Sequence, residues 1–250
     1  FSRLSSGHRI NSAADDAAGL AISESMRTQI RSYVVAERNA SDAISMTQTA
    51  EGALGEMHSI LGRLRELAMQ GSNGSMTATD RGYLSTEFSA LQAEMTRIQA
   101  SSKFNGKSLL SATASSLTFQ VGLNNTASDK VTLTFGGLGL TTLLAATTNL
   151  SGAGTTASLT ALGRIDSALA TISTSRARFG AAMNRFEVVT SSIQTMRLNL
   201  SAANSRIRDV DVAEETSALA RNQVLSQAGV AVLAQANQLP QLALSLVGGG

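Results

Sequence analysis

The 250-residue chain has no Cys and no Trp, and only 4% of its residues are aromatic. The lack of Cys excludes disulfide bonds and thiolate chemistry. Its 20 basic and 18 acidic residues leave a net charge of +2, and its Arg residues are scattered among Asp and Glu instead of forming the basic face of a nucleic-acid binder. We expect a protein of long helices with a sizeable core, and neither nucleic acid nor a membrane span.

The first long helix is predicted over residues 15–70. Apolar residues recur there at steps of three or four, which is the spacing of one helix face. Ser12 precedes it as a typical helix-start residue. Gly52, Gly55 and Gly62 would weaken the helix by about 1 kcal/mol each relative to Ala. We expect close packing against a neighbouring helix to compensate at these three positions.

A second helix and a β-hairpin are predicted next. Turn-forming residues 71–75 separate the first helix from a second one over about residues 79–101, which must reverse direction to share its core. Apolar and polar residues then alternate over 117–121 and 131–135, which predicts two strands of a hairpin docked on the helices. Residues 136–156 are uncharged and predict an irregular connection.

A further long helical pattern, around which the chain is organised, covers residues 159–207 and contains no Pro. At about 1.5 Å per residue this helix would be roughly 70 Å long, so other helices must cover its apolar face. Arg176, Thr190 and Arg197 stand where a strict heptad has apolar residues, which favours a bundle with a drifting contact face. The predicted core positions are Ile165, Ile172, Phe179, Phe186, Ile193 and Leu200.

The C-terminal segment is uncharged and apolar. Residues 208–215 are polar and predict a hinge or a new helix start, and no charged residue follows Arg221. Because the other helices already supply the core, we expect this tail to pack on other copies of the chain or on a partner. Its candidate contact residues are Leu219, Val224, Leu225, Val232, Leu233, Leu239 and Leu242.

No pattern in the sequence indicates an enzyme. His8 and His58 are the only histidines, and neither has metal-ligating neighbours at a usable spacing. No Gly-rich loop lies between a strand and a helix as a phosphate site requires. We therefore predict no catalytic residues, no cofactor and no metal.

Three groups of residues together resemble bacterial flagellin. They are residues 3–22, residues 63–70 followed by 103–106, and residues 227–241. Their order and spacing match along nearly the whole chain, with only about residues 111–156 unmatched. The resemblance implies a secreted structural subunit that self-assembles into the extracellular filament of the bacterial flagellum for motility.

The fold implied is mainly α-helical: an elongated antiparallel bundle of long helices, like a coiled-coil rod, with a small β-hairpin region at one end. Residues 1–110 would form the N-terminal half of the rod domain, and residues 111–158 the hairpin and a very short variable region. Residues 159–210 would form the C-terminal long helix of the rod. Residues 211–250 would form the C-terminal helix of the filament core.

The resemblance also implies partners. A host Toll-like receptor that senses flagellin contacts family positions that match Arg63, Leu67 and Glu94. The residues alone predict that Leu67 lies in the bundle core and that Arg63 and Glu94 lie on a solvated face. A secretion chaperone is expected on the C-terminal tail, in addition to other flagellin subunits.

Two further expectations concern the family's variants. The apolar N-terminal arm of the family would precede Phe1 and is not in this sequence, so we expect the 250-residue chain to stay monomeric or bind a chaperone. The alternatives are a hook–filament junction protein of the same superfamily and a flagellin homologue that binds a surface or a carbohydrate. A generic coiled-coil adaptor explains the heptads but not the hairpin or the uncharged tail.

Overall fold

The structure, a computed structural model, describes residues 1–140, 145, 148–151 and 154–247, with side chains described up to residue 236. Its helices are α1 Ser2–Ser6, α2 Ala17–Gly71, α3 Ala78–Ser101, α4 Thr156–Arg208 and α5 Val212–Val247. Its strands are β1 Lys103–Phe104, β2 Lys107–Ser108, β3 Ser115–Gln120 and β4 Lys130–Phe135. The prediction of a mainly α-helical bundle with a small β-hairpin region is confirmed.

The chain forms two compact units, and α2 and α4 contribute to both. The central unit is Ser32–Met196, and the terminal unit combines Phe1–Arg31 with Arg197–Gly250. Each unit is described by itself below. The predicted connection over residues 136–156 lies partly outside the described residues.

In the central unit, α2 and α4 run antiparallel. Polar contacts join them, among them Glu37 with Gln194 at 2.8 Å, Glu51 with Arg176 at 2.7 Å, and Arg65 with Asp166 at 2.8 Å. Residue numbers rise along α2 while they fall along α4, which fixes the direction. One exception to the heptad is thereby explained, because the Arg176 side chain reaches the carboxylate on the neighbouring helix.

The buried face of α4 repeats every seven residues within the central unit. Buried positions follow at steps of three, four and seven: Ser158, Ala161, Ile165, Ala168, Ile172, Ser175, Phe179, Phe186 and Ile193. Leu200, predicted as a core residue of the same face, is only half-buried. The reason is its position, since Leu200 belongs to the terminal unit and lies beyond the last fully covered turn.

The buried face of α2 changes in size along the helix. Within the central unit its first half is lined mainly by Ala36, Ala40, Ala43 and Ala50, together with Met46 and Thr47, and its second half by Leu54, Met57, Leu61 and Leu64. The expectation for the three glycines on α2 is wrong: a Cβ added at Gly52, Gly55 or Gly62 meets no atom of the chain within 4 Å. These glycines lie away from the packed seam, so close packing does not compensate for them.

Helix α3 begins with a capping box. The Thr77 side chain accepts a hydrogen bond from the Asp80 amide at 3.2 Å, and the Asp80 carboxylate accepts one from the Thr77 amide at 3.0 Å. The Arg81 side chain is buried and donates to the carbonyls of Gly71 and Asn73. A cation at the C-terminal end of α2 is favourable because that end carries partial negative charge.

Two hairpins complete the central unit. Strands β1 and β2 are joined by Asn105 and Gly106, whose φ values of 47° and 77° suit a two-residue hairpin turn. Strands β3 and β4 pair antiparallel with Leu117 opposite Leu133. Their buried face packs on α4, with the ring centroids of Phe119 and Phe186 5.5 Å apart and those of Phe135 and Phe179 5.4 Å apart.

Candidate functional site

Apolar side chains on α5 are exposed to solvent along several turns. Val224, Leu225, Val230, Val232 and Leu233 are each between 62% and 67% exposed. Leu219, near the start of the helix, is half-buried, and the side chains of Leu239 and Leu242 lie outside the described residues. Exposed apolar side chains along several turns of a helix mark a place where another molecule packs.

Helix α5 carries charged residues in its first turns and none in the rest of its length. The Asp211 carboxylate accepts hydrogen bonds from the amides of Ala213 and Glu214, which caps the helix. Glu214 and Glu215 stand in the first turn, where the helix dipole favours negative charge. No charged residue follows Arg221, so the remaining turns present only apolar and neutral polar side chains.

The apolar residues of α5 have the spacing of a helix–helix contact. Leu225, Val232, Leu239 and Leu246 follow one another at intervals of seven. A strict seven-residue repeat keeps one seam facing a partner helix.

Val230 belongs to the exposed group but was not among the predicted contact residues. Its position between two predicted valines in an uncharged segment was the signal that could have identified it.

The three positions that match the receptor contact differ in exposure. Arg63 is exposed, and its guanidinium contacts Glu66 at 2.8 Å and Glu87 at 2.7 Å. Glu94 is bound to Arg97 at 2.6 Å, and these hydrogen bonds lower the pKa of the Glu94 carboxyl. Leu67 is fully buried. The structure therefore places Leu67 in the core, where its side chain offers no surface to a partner.

The described residues hold no group of three or more His, Cys, Asp or Glu side chains that could bind a metal ion. His58 lies half-buried on α2, and His8 lies in the terminal unit with its Nδ1 atom 3.3 Å from the Asp209 carboxylate. None of the described helices has the length and hydropathy to cross a bilayer. The features that stand out on this molecule are therefore helix surfaces.

Comparison with known proteins identifies relatives along nearly the whole chain. The N-terminal helical region of bacterial flagellin matches residues 1–115, and the C-terminal helical region matches residues 162–247. A flagellin of Halalkalibacterium halodurans is 45% identical over 245 residues, covering 98% of this chain and 89% of that protein. A flagellar filament core protein of Brachyspira hyodysenteriae is 42% identical over 257 residues, covering 98% of this chain and 90% of that protein.

Solved structures agree with these relatives. The crystal structure of Bacillus cereus flagellin is 32% identical, with a TM-score of 0.54 over 67% of this chain and 94% of that one. A putative flagellar hook-associated protein from Vibrio parahaemolyticus has a TM-score of 0.67 over 78% of this chain and 100% of that one. At 13% identity, the second likeness shows the fold alone.

Proposed function

This chain belongs to the bacterial flagellin family, and on that premise we propose that it is a structural subunit of the flagellar filament, assembled through the exposed face of α5. As such a subunit it is secreted, works outside the cell in motility and carries no catalytic role. The observation that carries the proposal is the uncovered apolar surface of α5, together with relatives that are named as flagellins and filament core proteins.

The energetics favour burial of this face by other subunits. Fully burying one Val or Leu side chain contributes roughly 1.5–3 kcal/mol. Five such side chains on α5 are more than half exposed, so covering them supplies a large driving force before the costs of association are subtracted. Because no charge follows Arg221, two such helices pack without burying an unpaired charge.

Addition of the chain to filament fragments tests this role. The chain is expected to stay monomeric by itself, so sheared flagellar filaments supply the ends to which it can add. They are mixed with the labelled chain, and the label that sediments is measured alongside electron microscopy. We expect Leu225→Asp and Leu233→Asp to lose sedimentation at least tenfold. Val188→Asp is the matched control, because Val188 is 70% exposed on α4 in the central unit. Sedimentation of the α5 variants at the level of the unchanged chain would refute the proposal.

The proposed filament role includes recognition by the flagellin-sensing Toll-like receptor of the host. Arg63 and Glu94 support it, since both match the family's contact positions, and Arg63 is exposed while Glu94 is half-buried. Leu67 is fully buried, so its proposed part in the contact is to support the surface around Arg63. Exposed Arg side chains with planar, five-donor guanidinium groups are frequent anchors of protein interfaces.

Receptor signalling by two arginine variants tests the contact. Arg63→Ala is expected to weaken signalling at least tenfold, whereas Arg65→Ala is expected to leave it unchanged. The control is closely matched because both arginines lie on α2, are about half exposed and pair with carboxylates. Equal signalling by the two variants would remove Arg63 from the contact.

Before assembly, we propose that a secretion chaperone covers the same face of α5. The support is again exposure, since a free subunit with this apolar surface is prone to aggregate. Co-elution of the chain with its chaperone, and its loss in Leu233→Asp but not in Val188→Asp, is the expected result. Co-elution of Leu233→Asp at full strength would place the chaperone elsewhere.

The alternative is a hook–filament junction protein, and one observation favours it: the fold-level likeness to a putative hook-associated protein. That likeness extends to 13% identity only, whereas the flagellin and filament core relatives reach 42–45%. Electron microscopy of the filament fragments after addition of the chain separates the two roles, because a filament subunit lengthens them into uniform fibres and a junction protein gives short caps. A carbohydrate-binding homologue would instead bind sugars through the short variable region.

A further inference from the structure

The break between α4 and α5 occurs where the sequence has no helix-breaking Pro or Gly. Helix α4 ends at Arg208 and α5 begins at Val212. Residues 205–215 contain neither Pro nor Gly, and sharp breaks in helices nearly always occur at those residues or where another group inserts into the hydrogen-bond ladder. The cause must therefore be sought in what contacts these residues.

Residues 7–10, called the strap below, occupy the hydrogen-bonding positions that would continue the helix. In an unbroken helix the Val210 amide would donate to the Arg206 carbonyl. It donates instead to the Gly7 carbonyl at 3.1 Å. One rung of the ladder is thereby taken by the strap.

Two further rungs are taken in the same way by one residue. The Ile207 carbonyl, which would accept from the Asp211 amide, accepts from Nη2 of Arg9 at 2.7 Å. The Arg208 carbonyl, which would accept from the Val212 amide, accepts from the Arg9 amide at 2.6 Å. The strap thus satisfies consecutive backbone groups of α4 that would otherwise be left without partners.

The strap is itself held firmly. Gly7 has a φ of 71°, a left-handed conformation that glycine adopts without strain. Ile10 is buried, and a Cβ on Gly19 would lie only 2.8 Å from its Cδ1 atom, so Ile10 packs on the first turn of α2. The strap therefore connects the start of α2 to the end of α4.

From these contacts we propose that the strap is a positioning element: by inserting into the ladder at residues 207–210 it holds α4 and α5 apart as separate helices and sets the direction of α5. When the strap is withdrawn, residues 205–215 become helical and α4 and α5 join into one rod. This inference rests on the proposed filament role only for its consequence, since the direction of α5 decides where its apolar face can meet other subunits.

Distances between spin labels on the isolated chain test the proposal. The chain contains no Cys, so Ser201→Cys and Gln223→Cys, both exposed, can be labelled without interference. In one continuous helix these positions are about 33 Å apart, and any bend makes the separation shorter. We expect a shorter distance in the unchanged chain and a shift toward about 33 Å when the strap is disrupted.

The strap is disrupted by Gly7→Val with Ile10→Asp, since Val is strained at positive φ and Asp cannot stay buried unpaired. The matched control is Gly74→Val with Ile22→Asp, where the glycine is in open space and the isoleucine is half exposed. A second label pair at Ser173 and Ser191 must keep about 27 Å, which shows that α4 itself remains folded.

A competing cause is the local cap by Asp211, and Asp211→Ala tests it. The proposal is overturned if the strap variant keeps the distance of the unchanged chain, if its label distances become broad because residues 205–215 lose helix, or if Asp211→Ala alone gives about 33 Å. The strap variant should also lose addition to filament fragments at least tenfold. Assembly at the normal level despite a lengthened distance would overturn the positioning role.

These results separate the strap from the filament role. The label distances are measured on the free chain and do not depend on assembly. If the unchanged chain fails to add to filament fragments, the filament proposal fails while the distance result still decides whether the strap holds the break.

Discussion

Helix α4 in the central unit and helix α5 in the terminal unit carry similar apolar residues, but only the first is covered. On α4, the heptad from Ile165 to Ile193 is buried against α2 and the β3–β4 hairpin. On α5, the valines and leucines from Val224 to Leu233 are exposed. The comparison teaches that periodic apolar residues indicate a packing partner. Charged residues beside them indicate whether this partner lies in the same chain or in another molecule. Helix α4 carries Arg176 for a carboxylate of its own chain, whereas α5 has no charge after Arg221.

The largest expected effect comes from the same truncation made in both regions. Leu64→Ala, at a fully buried position, should lower the free energy of unfolding by about 2–5 kcal/mol. Leu233→Ala, at an exposed position, should change it by less than about 0.5 kcal/mol. Urea unfolding followed by circular dichroism measures both. Similar losses in the two variants would mean that the chain covers α5 itself and would end the distinction.

A smaller loss is expected at the start of α3, one of the helices of the covered region. Thr77→Ala removes the acceptor for the Asp80 amide and should lower the free energy of unfolding by about 1 kcal/mol. Thr86→Ala, an exposed change inside the same helix, is the control and should cost nothing. If both variants unfold at the same urea concentration, the capping box contributes nothing to the covered region.

The side of α2 that carries Gly52, Gly55 and Gly62 packs against no other part of the chain, so a larger residue there should raise the stability. Gly62→Ala should raise the free energy of unfolding by about 0.5–1 kcal/mol, because the added Cβ meets no atom and the unfolded chain loses freedom. Gly71→Ala is the matched opposite, since its Cβ would lie 2.7 Å from the Ser158 hydroxyl. We expect that variant to be less stable than the unchanged chain. A gain at both positions would show that the packing at Gly71 yields freely.

The smallest expected effect is on the dependence of stability on pH in acid, and it should be seen in both regions. Hydrogen bonds to Ser12 and Asn11 lower the pKa of Asp15 in the terminal unit, and those to Thr77 lower the pKa of Asp80 in the central unit. A lowered folded-state pKa contributes stability that is present above the unfolded value of about 3.9 and is lost as pH falls through the folded value. Unfolding of Asp15→Asn and Asp80→Asn should depend less on pH below about 4. An unchanged pH dependence in both would contradict these shifts.

The parts of the fold that large side chains determine could be predicted from the sequence, and the parts that small side chains determine could not. The seam of α4 was recognisable because Ile172, Phe179 and Phe186 stand seven apart. The alanine part of the α2 seam could not be recognised in this way, because small side chains such as Ala36, Ala40 and Ala43 give little apolar contrast along a helix. The glycines of α2 misled for the same reason.

The candidate surface was predictable because it depends on composition, whereas the strap depends on contacts across the chain. An uncharged stretch after Arg221 is visible in the sequence, and so is its apolar spacing. The bond from Arg9 to the Ile207 carbonyl joins residues 198 positions apart, and no local pattern announces it. The residues alone predicted Leu67 in the bundle core, where the structure has it, and only the resemblance assigned it to a contact surface.

That long separation has a consequence for the order of folding. Contacts between residues far apart in the chain close slowly, because the entropy of the intervening loop must be lost first. During synthesis, the Ile207 carbonyl that binds Arg9 is made 198 residues after Arg9 itself. The contact that joins the two ends of the chain in the terminal unit is therefore expected to form late.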